Sequence, residues 1–246
     1  NYVRAQVKEL LSDYGPIYTW FWDIPPQIYD PSMNEYVRSL QPGILINDRG
    51  WSEGDFSTPE RTIPEGGAFT RYTEACQSGG KESWGYRADE DYFTPAFLTN
   101  SMDRIFGMGG SFLLNVGPDA DGVIPPVAVE SIRTCGRWYQ SVLEAYEETV
   151  PYVEWTNENI SAFHRGRTVY LHTLRPLIST GLDIPSCTVL PQNVILLNMR
   201  KSVEFCIETY PNDFTGHFGE NKSAILRLRQ IPVTDDGMPL VFRLDF

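Results

Sequence analysis

The sequence predicts a parallel α/β region over residues 1–149, followed by an all-β sandwich domain over residues 150–246. Up to about residue 148, amphipathic segments alternate with short apolar runs, the order of a parallel sheet joined by crossover helices. From Val150 onward, short alternating runs are separated by turn residues, which is typical of a β-sandwich. With 246 residues and 41% hydrophobic content, the chain is long and apolar enough to bury a core.

Four helices are predicted in the first region. The first carries a stripe of apolar side chains and stops at Tyr14-Gly15-Pro16, and the third starts after Thr94-Pro95. The fourth is a long amphipathic segment. The predicted ranges are 1–13, 33–40, 94–107 and 126–148.

The strands of the first region are short and apolar. The first of them is rich in aromatic residues, and we expect it to be buried on both faces. Many Gly, Pro, Ser and Thr residues at 50–68 predict a long loop, and loops of that length are often functional. The predicted strands are 16–22, 43–47, the segment around 69–76, and 111–116.

The second region holds six predicted strands and two of the four cysteines. Cys187 and Cys206 could form a disulfide, or both could remain buried thiols. None of the cysteines has the spacing of a metal site, so we expect no metal there. The predicted strands are 160–163, 168–173, 193–197, 203–207, 224–228 and 240–244.

Charge and histidine content exclude several function classes. The net charge is −12, which disfavours nucleic acid and anionic membranes as partners and is compatible with a neutral ligand. No apolar run approaches the roughly 18 residues of a membrane span. All three histidines (His164, His172 and His217) lie in the second region, so the first cannot hold a Ser-His-Asp or Cys-His site.

Two carboxylates stand out in the first region. Asp23 follows the aromatic strand and Glu60 lies in the predicted loop, and such a pair is what hydrolysis of a glycosidic bond needs. Asp23 could instead cap the turn at residues 24–26. Glu60 could be a plain exposed acid, with Glu53 or Glu65 in its place.

Five sequence elements, in order over residues 1–125, resemble the α-L-fucosidases of glycoside hydrolase family 29. Each is weak alone, but together and at family-like spacing they are strong. Two departures stand out: Thr73 replaces the usual tryptophan, and Phe21-Trp22-Asp23 replaces Trp-Phe-Asp. The elements are Tyr14-Gly-Pro-Ile with Asp23, Asn47-Asp-Arg49, Asp55-Phe-x-Thr-Pro-Glu60, Glu74-x-Cys76 with Ser83-Trp-Gly-Tyr86, and Gly109–Pro118 with Asp121–Pro125.

The resemblance implies a (β/α)8 TIM-like barrel, of which residues 1–149 would form the C-terminal half. The missing N-terminal half of the barrel would come from the same precursor or from a companion chain. The resemblance also implies a retaining exo-glycosidase that hydrolyses terminal α-L-fucosyl linkages of oligosaccharides or glycoconjugates without a cofactor. Asp23 would be the nucleophile and Glu60 the acid/base. A secreted, periplasmic or lysosomal location would fit such substrates.

Two polar residues are candidate substrate contacts under this resemblance. Arg49 would reach the sugar ring or orient a carboxylate, unless it only forms a structural salt bridge to Asp48 or Asp55. Glu74 would either contact the sugar or support residues that do.

Three tryptophans are further candidates. Trp84 would form an apolar wall against the methyl group of the deoxy-sugar, and Trp51 and Trp22 would be stacking platforms. For each of them, plain core packing is the alternative.

Two other functions stay open. The chain could be a non-catalytic carbohydrate-binding or pseudo-enzyme fragment, or a related α-L-galactosidase on the same barrel. An apolar wall at Trp84 disfavours the galactosidase, because a hydroxymethyl group needs a polar partner.

Overall fold

The computed structural model describes residues 2–23, 26–62, 67–184, 187–211 and 222–246. The chain divides into two compact units. The first comprises the described residues of 1–64, 69–77 and 110–113, and the second those of 65–68, 78–109 and 114–246. The predicted domain boundary at 149/150 stays a prediction.

The first unit begins with two helices that alternate with two short parallel strands. Helix α1 spans Tyr2–Asp13, strand β1 Thr19–Trp20, helix α2 Ser32–Leu40 and strand β2 Leu45–Ile46. Strands β1 and β2 are parallel neighbours. One face of each helix packs with the strands, and the buried members of this cluster are Val7, Leu11, Trp22, Met33, Val37, Ile44 and Ile46.

The described residues of the predicted loop at 50–68 form no regular helix or strand, but residues 56–60 run extended beside the sheet. Parallel bridges join Asn47 to Phe56 on one side and Glu60 to Cys76 on the other. Phe56 and Thr58 are buried while their neighbours are less so, which is the alternation of a strand. Proline and small polar residues concealed this pattern in the sequence.

The sheet continues through strands β3 (Glu74–Ser78) and β4 (Ser111–Asn115), which pair with each other. Neighbouring segments of this region therefore follow the order of the chain. The described residues close no barrel.

The expectation that the first strand is buried on both faces is wrong. Tyr18 is 81% exposed and Phe21 is also exposed, whereas Trp22 is buried. Helices α1 and α2 cover one face of the sheet. The other face carries exposed apolar side chains, Phe21 and Leu45 among them.

The second unit contains helices α3 (Pro95–Gly107) and α4 (Pro126–Ser141). Thr94 caps α3 by accepting a hydrogen bond from the Phe97 amide at 3.2 Å, which confirms the predicted start. Helix α4 ends earlier than predicted, and a short 3-10 turn at Leu143–Ala145 follows it.

Nine strands are described after α4, and they form two antiparallel sheets. One sheet has the order β10-β9-β13-β7-β6-β5 and the other β11-β12-β8. Residues from both sheets share one hydrophobic cluster, which includes Leu171, Leu196, Leu226 and Phe242. All six predicted strands are present; the short β5, β8 and β10 were not predicted. The bounds are β5 Val150–Pro151, β6 Ile160–Arg165, β7 Thr168–Thr173, β8 Leu182–Ile184, β9 Asn193–Leu196, β10 Lys201–Ser202, β11 Glu204–Pro211, β12 Lys222–Arg229 and β13 Val241–Asp245.

A fully buried polar group joins α3 to β7 within this unit. The Asp103 Oδ1 atom lies 2.8 Å from His172 Nδ1 and accepts a hydrogen bond from the Tyr146 hydroxyl at 2.7 Å. Burial, and then the charge of Asp103, hold the pKa of Tyr146 well above its usual value. The phenol therefore stays protonated and serves as a donor.

Cys187 and Cys206 are not paired; all four cysteines are free thiols. Among the described residues, no cluster of His, Cys, Asp and Glu side chains could hold a metal ion. None of the helices in the described ranges has the length and apolar character needed to cross a membrane.

Candidate active site

Asn47 ties together the ends of β1 and β2. Its side chain is fully buried and makes two hydrogen bonds to the backbone of Trp22, accepting from N at 2.8 Å and donating to O at 2.9 Å. These bonds continue the β1–β2 ladder beyond its last regular pair. They fix the backbone next to Asp23 against the segment that carries Arg49.

Arg49 brings the two predicted catalytic carboxylates together. Its Nη1 atom lies 3.5 Å from Asp23 Oδ1, and its Nη2 atom lies 2.7 Å from Glu60 Oε2. The arginine side chain is only 17% exposed, whereas that of Asp23 is 73% and that of Glu60 39% exposed. One rigid guanidinium thus holds two accessible carboxylates that come from different segments of the sheet.

Thr58 fixes the orientation of Arg49. Arg49 Nε donates to the Thr58 hydroxyl, and Arg49 Nη2 donates to the Thr58 carbonyl, both at 3.0 Å. The Thr58 amide and hydroxyl in turn both donate to Asp48 Oδ1 at 3.1 Å. The ring of Phe21 lies 5.6 Å from the guanidinium carbon, within the range of a cation–π contact.

The structural salt bridges considered for Arg49 are not formed. Asp48 accepts hydrogen bonds from Thr58, and Asp55 pairs with Arg38 at 2.9 Å. Asp55 also accepts a hydrogen bond from the Ile46 amide at 2.7 Å. Partial burial acts to raise the pKa of Asp55, but the Ile46 and Arg38 hydrogen bonds outweigh it and the pKa is lowered.

Cys76 and Glu74 lie on the neighbouring strand β3. Burial is the main cause that raises the pKa of the Cys76 thiol. Arg49 acts in the opposite direction, while the charges of Glu74, Glu60 and Asp23 add to the increase. Cys76 is therefore a protonated thiol within the field of this cluster, and the substrate-binding role of Glu74 stays a prediction.

The three tryptophans have different surroundings. Trp22 is buried, donates its indole N–H to Asn34 Oδ1 at 2.9 Å, and packs edge-on between Trp20 and Trp51. This geometry supports core packing for Trp22 rather than sugar stacking. Trp51 is partly exposed and lines a recess of about 290 Å³, so it remains a candidate platform. Trp84 belongs to the second unit, where it is partly buried, and its role as a wall stays a prediction.

The rivals for the acid/base role are only partly described. Glu53 is exposed and forms no side-chain hydrogen bond or ion pair within the described ranges. Glu65 lies outside the described residues. So do Ile24 and Pro25, the turn that Asp23 was considered to cap.

Sequence reasoning missed Asn47 and Thr58 as positioning residues. The available signal for Asn47 was its position directly after an apolar strand, since an amide buried there needs hydrogen-bond partners. Thr58 had no comparable signal. Its role depends on residues 56–60 running extended beside the sheet, within the predicted loop.

Comparison with known proteins gives a consistent match. The sequence model of the family described as alpha-L-fucosidase matches residues 1–144. Human tissue alpha-L-fucosidase is 25% identical over 185 residues, which cover 67% of this chain and 39% of the human protein. The alpha-L-fucosidase of Branchiostoma floridae is 29% identical over 174 residues, covering 63% and 37% of the two chains. The chain thus spans less than two fifths of the length of these curated relatives.

Solved structures share the fold. Alpha-L-fucosidase isoenzyme 1 from Paenibacillus thiaminolyticus superimposes with a TM-score of 0.77 at 24% identity, covering 99% of this chain and 61% of that one. The alpha-L-fucosidase from Vibrio sp. strain EJY3 gives a TM-score of 0.78 at 24% identity, covering 98% and 44%. Both units of this chain therefore have counterparts in longer proteins.

Proposed function

We propose that this chain, which belongs to the α-L-fucosidase family, glycoside hydrolase family 29, carries the catalytic pair of a retaining exo-glycosidase. Its substrates would be oligosaccharides or glycoconjugates with terminal α-L-fucosyl groups. The observation that carries the proposal is the contact of one partly buried guanidinium, that of Arg49, with the carboxylates of both Asp23 and Glu60.

The mechanism assigns a separate role to each carboxylate. Asp23 attacks the anomeric carbon of the fucosyl group and forms a covalent glycosyl-enzyme, while Glu60 protonates the departing oxygen. Glu60 then removes a proton from water, which attacks the same carbon and releases Asp23. For the first step Glu60 must turn from Arg49 towards the substrate, and its partial exposure gives it room to do so.

Arg49 would orient both carboxylates before the substrate arrives. Its hydrogen bonds to Thr58 hold the guanidinium in one plane, so that Asp23 and Glu60 approach different edges of it. Trp51 and Glu74 are further proposed sugar contacts, and Trp84 is the proposed wall against the sugar methyl group.

Turnover also needs the remainder of the barrel. The sheet face that bears Phe21 and Leu45 is exposed in this chain, and exposed apolar sheet faces mark sites that another segment covers. We propose that an N-terminal half of a (β/α)8 barrel, from the same precursor or a companion chain, covers this face and adds the remaining sugar contacts.

A second candidate is a non-catalytic carbohydrate-binding fragment. The exposure of Asp23, at 73% of its side chain, favours it, because a nucleophile works best where water is excluded. The two candidates differ in turnover, which can be measured directly.

The test is release of 4-nitrophenol from 4-nitrophenyl α-L-fucoside by the protein as its source expresses it and by residues 1–246 alone. We expect Asp23→Asn to lower kcat/KM at least about 10³-fold, with azide restoring turnover of an activated fucoside. Glu60→Gln should lower it by about 10²-fold or more. Asp13→Asn, a change at an exposed carboxylate of α1, is the matched control and should have no effect.

Three outcomes would redirect the proposal. Full activity in Asp23→Asn would remove the nucleophile assignment. No turnover by any form of the wild-type protein would favour the binding fragment. Faster release from the corresponding α-L-galactoside would favour the related galactosidase.

We also propose that the protein acts outside the cytosol, as a secreted, periplasmic or lysosomal enzyme, because fucosylated glycoconjugates are found there. Fractionation of the source cells, followed by detection of the chain, tests this. Recovery only in the cytosolic fraction would contradict it.

A further inference from the structure

A groove of about 670 Å³ opens in the β-rich part of the second unit. It lies between residues 151–155, the turn that joins β6 to β7, residues 187–189, and Phe246. Its volume is within the range of sites that bind small molecules. None of the proposed catalytic residues lines it.

Aromatic rings form one side of the groove. Tyr152 and Trp155 are stacked, with centroids 5.2 Å apart and planes inclined by 15°. His164 packs against Tyr152 at 5.1 Å, and Phe246 packs edge-on to Trp155 at 6.5 Å. All four rings are partly exposed, so the groove presents apolar aromatic surface to water.

Four polar side chains of the groove have no partners in the part of the chain that the structure describes. There, the side chains of Glu154, Trp155, His164 and Arg167 form no hydrogen bond or ion pair. Neighbouring charges do find partners: Arg165 donates to the Glu147 carbonyl at 2.9 Å. The groove thus combines an aromatic surface with a carboxylate, a guanidinium, an imidazole and an indole N–H that are available to a ligand.

We propose that this groove binds a neutral oligosaccharide. A sugar ring has an apolar C–H face that packs on an aromatic ring, and its hydroxyl groups both donate and accept hydrogen bonds. Glu154 supplies acceptors, whereas Arg167 and the Trp155 indole supply donors. One carboxylate and one guanidinium leave no net charge, which disfavours a phosphate or another strongly ionic ligand.

The proposal does not depend on catalysis. All residues of the groove belong to the second unit, and Asp23, Arg49 and Glu60 belong to the first. The groove would hold glycan whether or not the chain turns over fucosides.

Isothermal titration calorimetry of the whole chain tests the proposal, with chitotriose, N-acetyllactosamine, cellotriose and mannotriose as probes. We expect saturable binding of at least one of them, with a change in tryptophan fluorescence. Trp155→Ala should lower the association constant at least about tenfold, and Trp155→Phe should retain part of the affinity. Because Trp155 packs against the core, the exposed variants Arg167→Ala and Glu154→Gln serve as tests that keep the fold.

Matched controls separate this groove from other surfaces. Arg175→Ala and Glu158→Gln remove an exposed ion pair of the same unit and should leave binding unchanged. Asp23→Asn should also leave it unchanged. Absence of saturable binding by all four probes would overturn the proposal, as would binding that survives Trp155→Ala and Arg167→Ala. Self-association that depends on Trp155, without saccharide binding, would show that a second copy occupies the groove and would also overturn it.

Discussion

At the scale of single residues, the candidate site depends on a guanidinium that is itself held in place. Arg49 makes four polar contacts: one to each of two carboxylates and two to Thr58. A planar fork with five N–H donors can satisfy such a set, and a lysine ammonium cannot. The identity of residue 49 as arginine, and not only its charge, therefore matters.

Arg49→Lys should lower kcat/KM for 4-nitrophenyl α-L-fucoside by about 10²-fold, since one ammonium cannot orient Asp23 and Glu60 together. The thermal midpoint should change little in comparison. Arg133→Lys, at an exposed position of α4, is the control for the chemical change. Equal activity in Arg49→Lys and wild type would show that residue 49 contributes charge alone.

Asn47 offers a second test at this scale. Asn47→Ala removes two buried hydrogen bonds to Trp22, so we expect a loss of about 2 kcal/mol in the free energy of unfolding, together with lower activity. Asn198 is a matched control, because it makes a similar pair of backbone bonds, to Pro239 at 3.0 Å and from Val241 at 2.7 Å. Denaturant unfolding and fucosidase assays of both alanine variants distinguish the two.

Asn198→Ala should lower the free energy of unfolding but leave kcat/KM of the folded protein unchanged. If the two variants lose activity equally, Asn47 acts through general stability, and its positioning role is wrong.

At the scale of elements, the sequence predicted the helices better than the strands. Gly15-Pro16 marks the end of one helix and Thr94-Pro95 marks the start of another, and both signals lie next to the helix in sequence. The extended segment at 56–60 escaped prediction because its strand character comes from hydrogen bonds to residues that are distant in sequence, such as that from Cys76 N to Pro59 O at 2.9 Å. Asp23, Arg49 and Glu60 could be predicted as a group, but the register that places Thr58 under Arg49 could not.

Asp55 links two elements and makes the stability of the first unit depend on pH. Its carboxylate binds Arg38 of α2 and the Ile46 amide of β2, which lowers its pKa in the folded state. Stability from a carboxyl group with a lowered pKa is present above the unfolded value of about 3.9. It is lost as the pH falls through the folded value.

We therefore expect the thermal midpoint of the wild type to fall as the pH is lowered from 5 to 3, and part of this fall to be absent in Asp55→Asn. The variant should already be less stable at pH 5. Asp13→Asn, at an exposed carboxylate with no described partner, provides the control profile. Parallel profiles for wild type and Asp55→Asn would contradict the linkage.

At the scale of the whole molecule, the chain spans less than two fifths of the length of the curated relatives that it matches. One face of its parallel sheet is exposed. The order of the sheet segments could be predicted from the alternation of helices and strands. The same alternation could not predict whether a barrel closes, since the remaining strands would have to come from outside residues 1–246. We therefore propose that both catalytic carboxylates and part of the sugar contacts lie in this chain, and that the remaining sugar contacts come from the other half of the barrel.

The most direct test of that claim is covalent trapping with 2-deoxy-2-fluoro-α-L-fucosyl fluoride, read by mass spectrometry on the protein as its source expresses it. We expect one fluorofucosyl group on the peptide between Lys8 and Arg38, localised by fragmentation to Asp23 rather than to Asp13 or Asp30. The label should be absent from Asp23→Asn. A label on any other residue of an active protein, or turnover with inversion and no label, would contradict the assignment of Asp23 as the nucleophile.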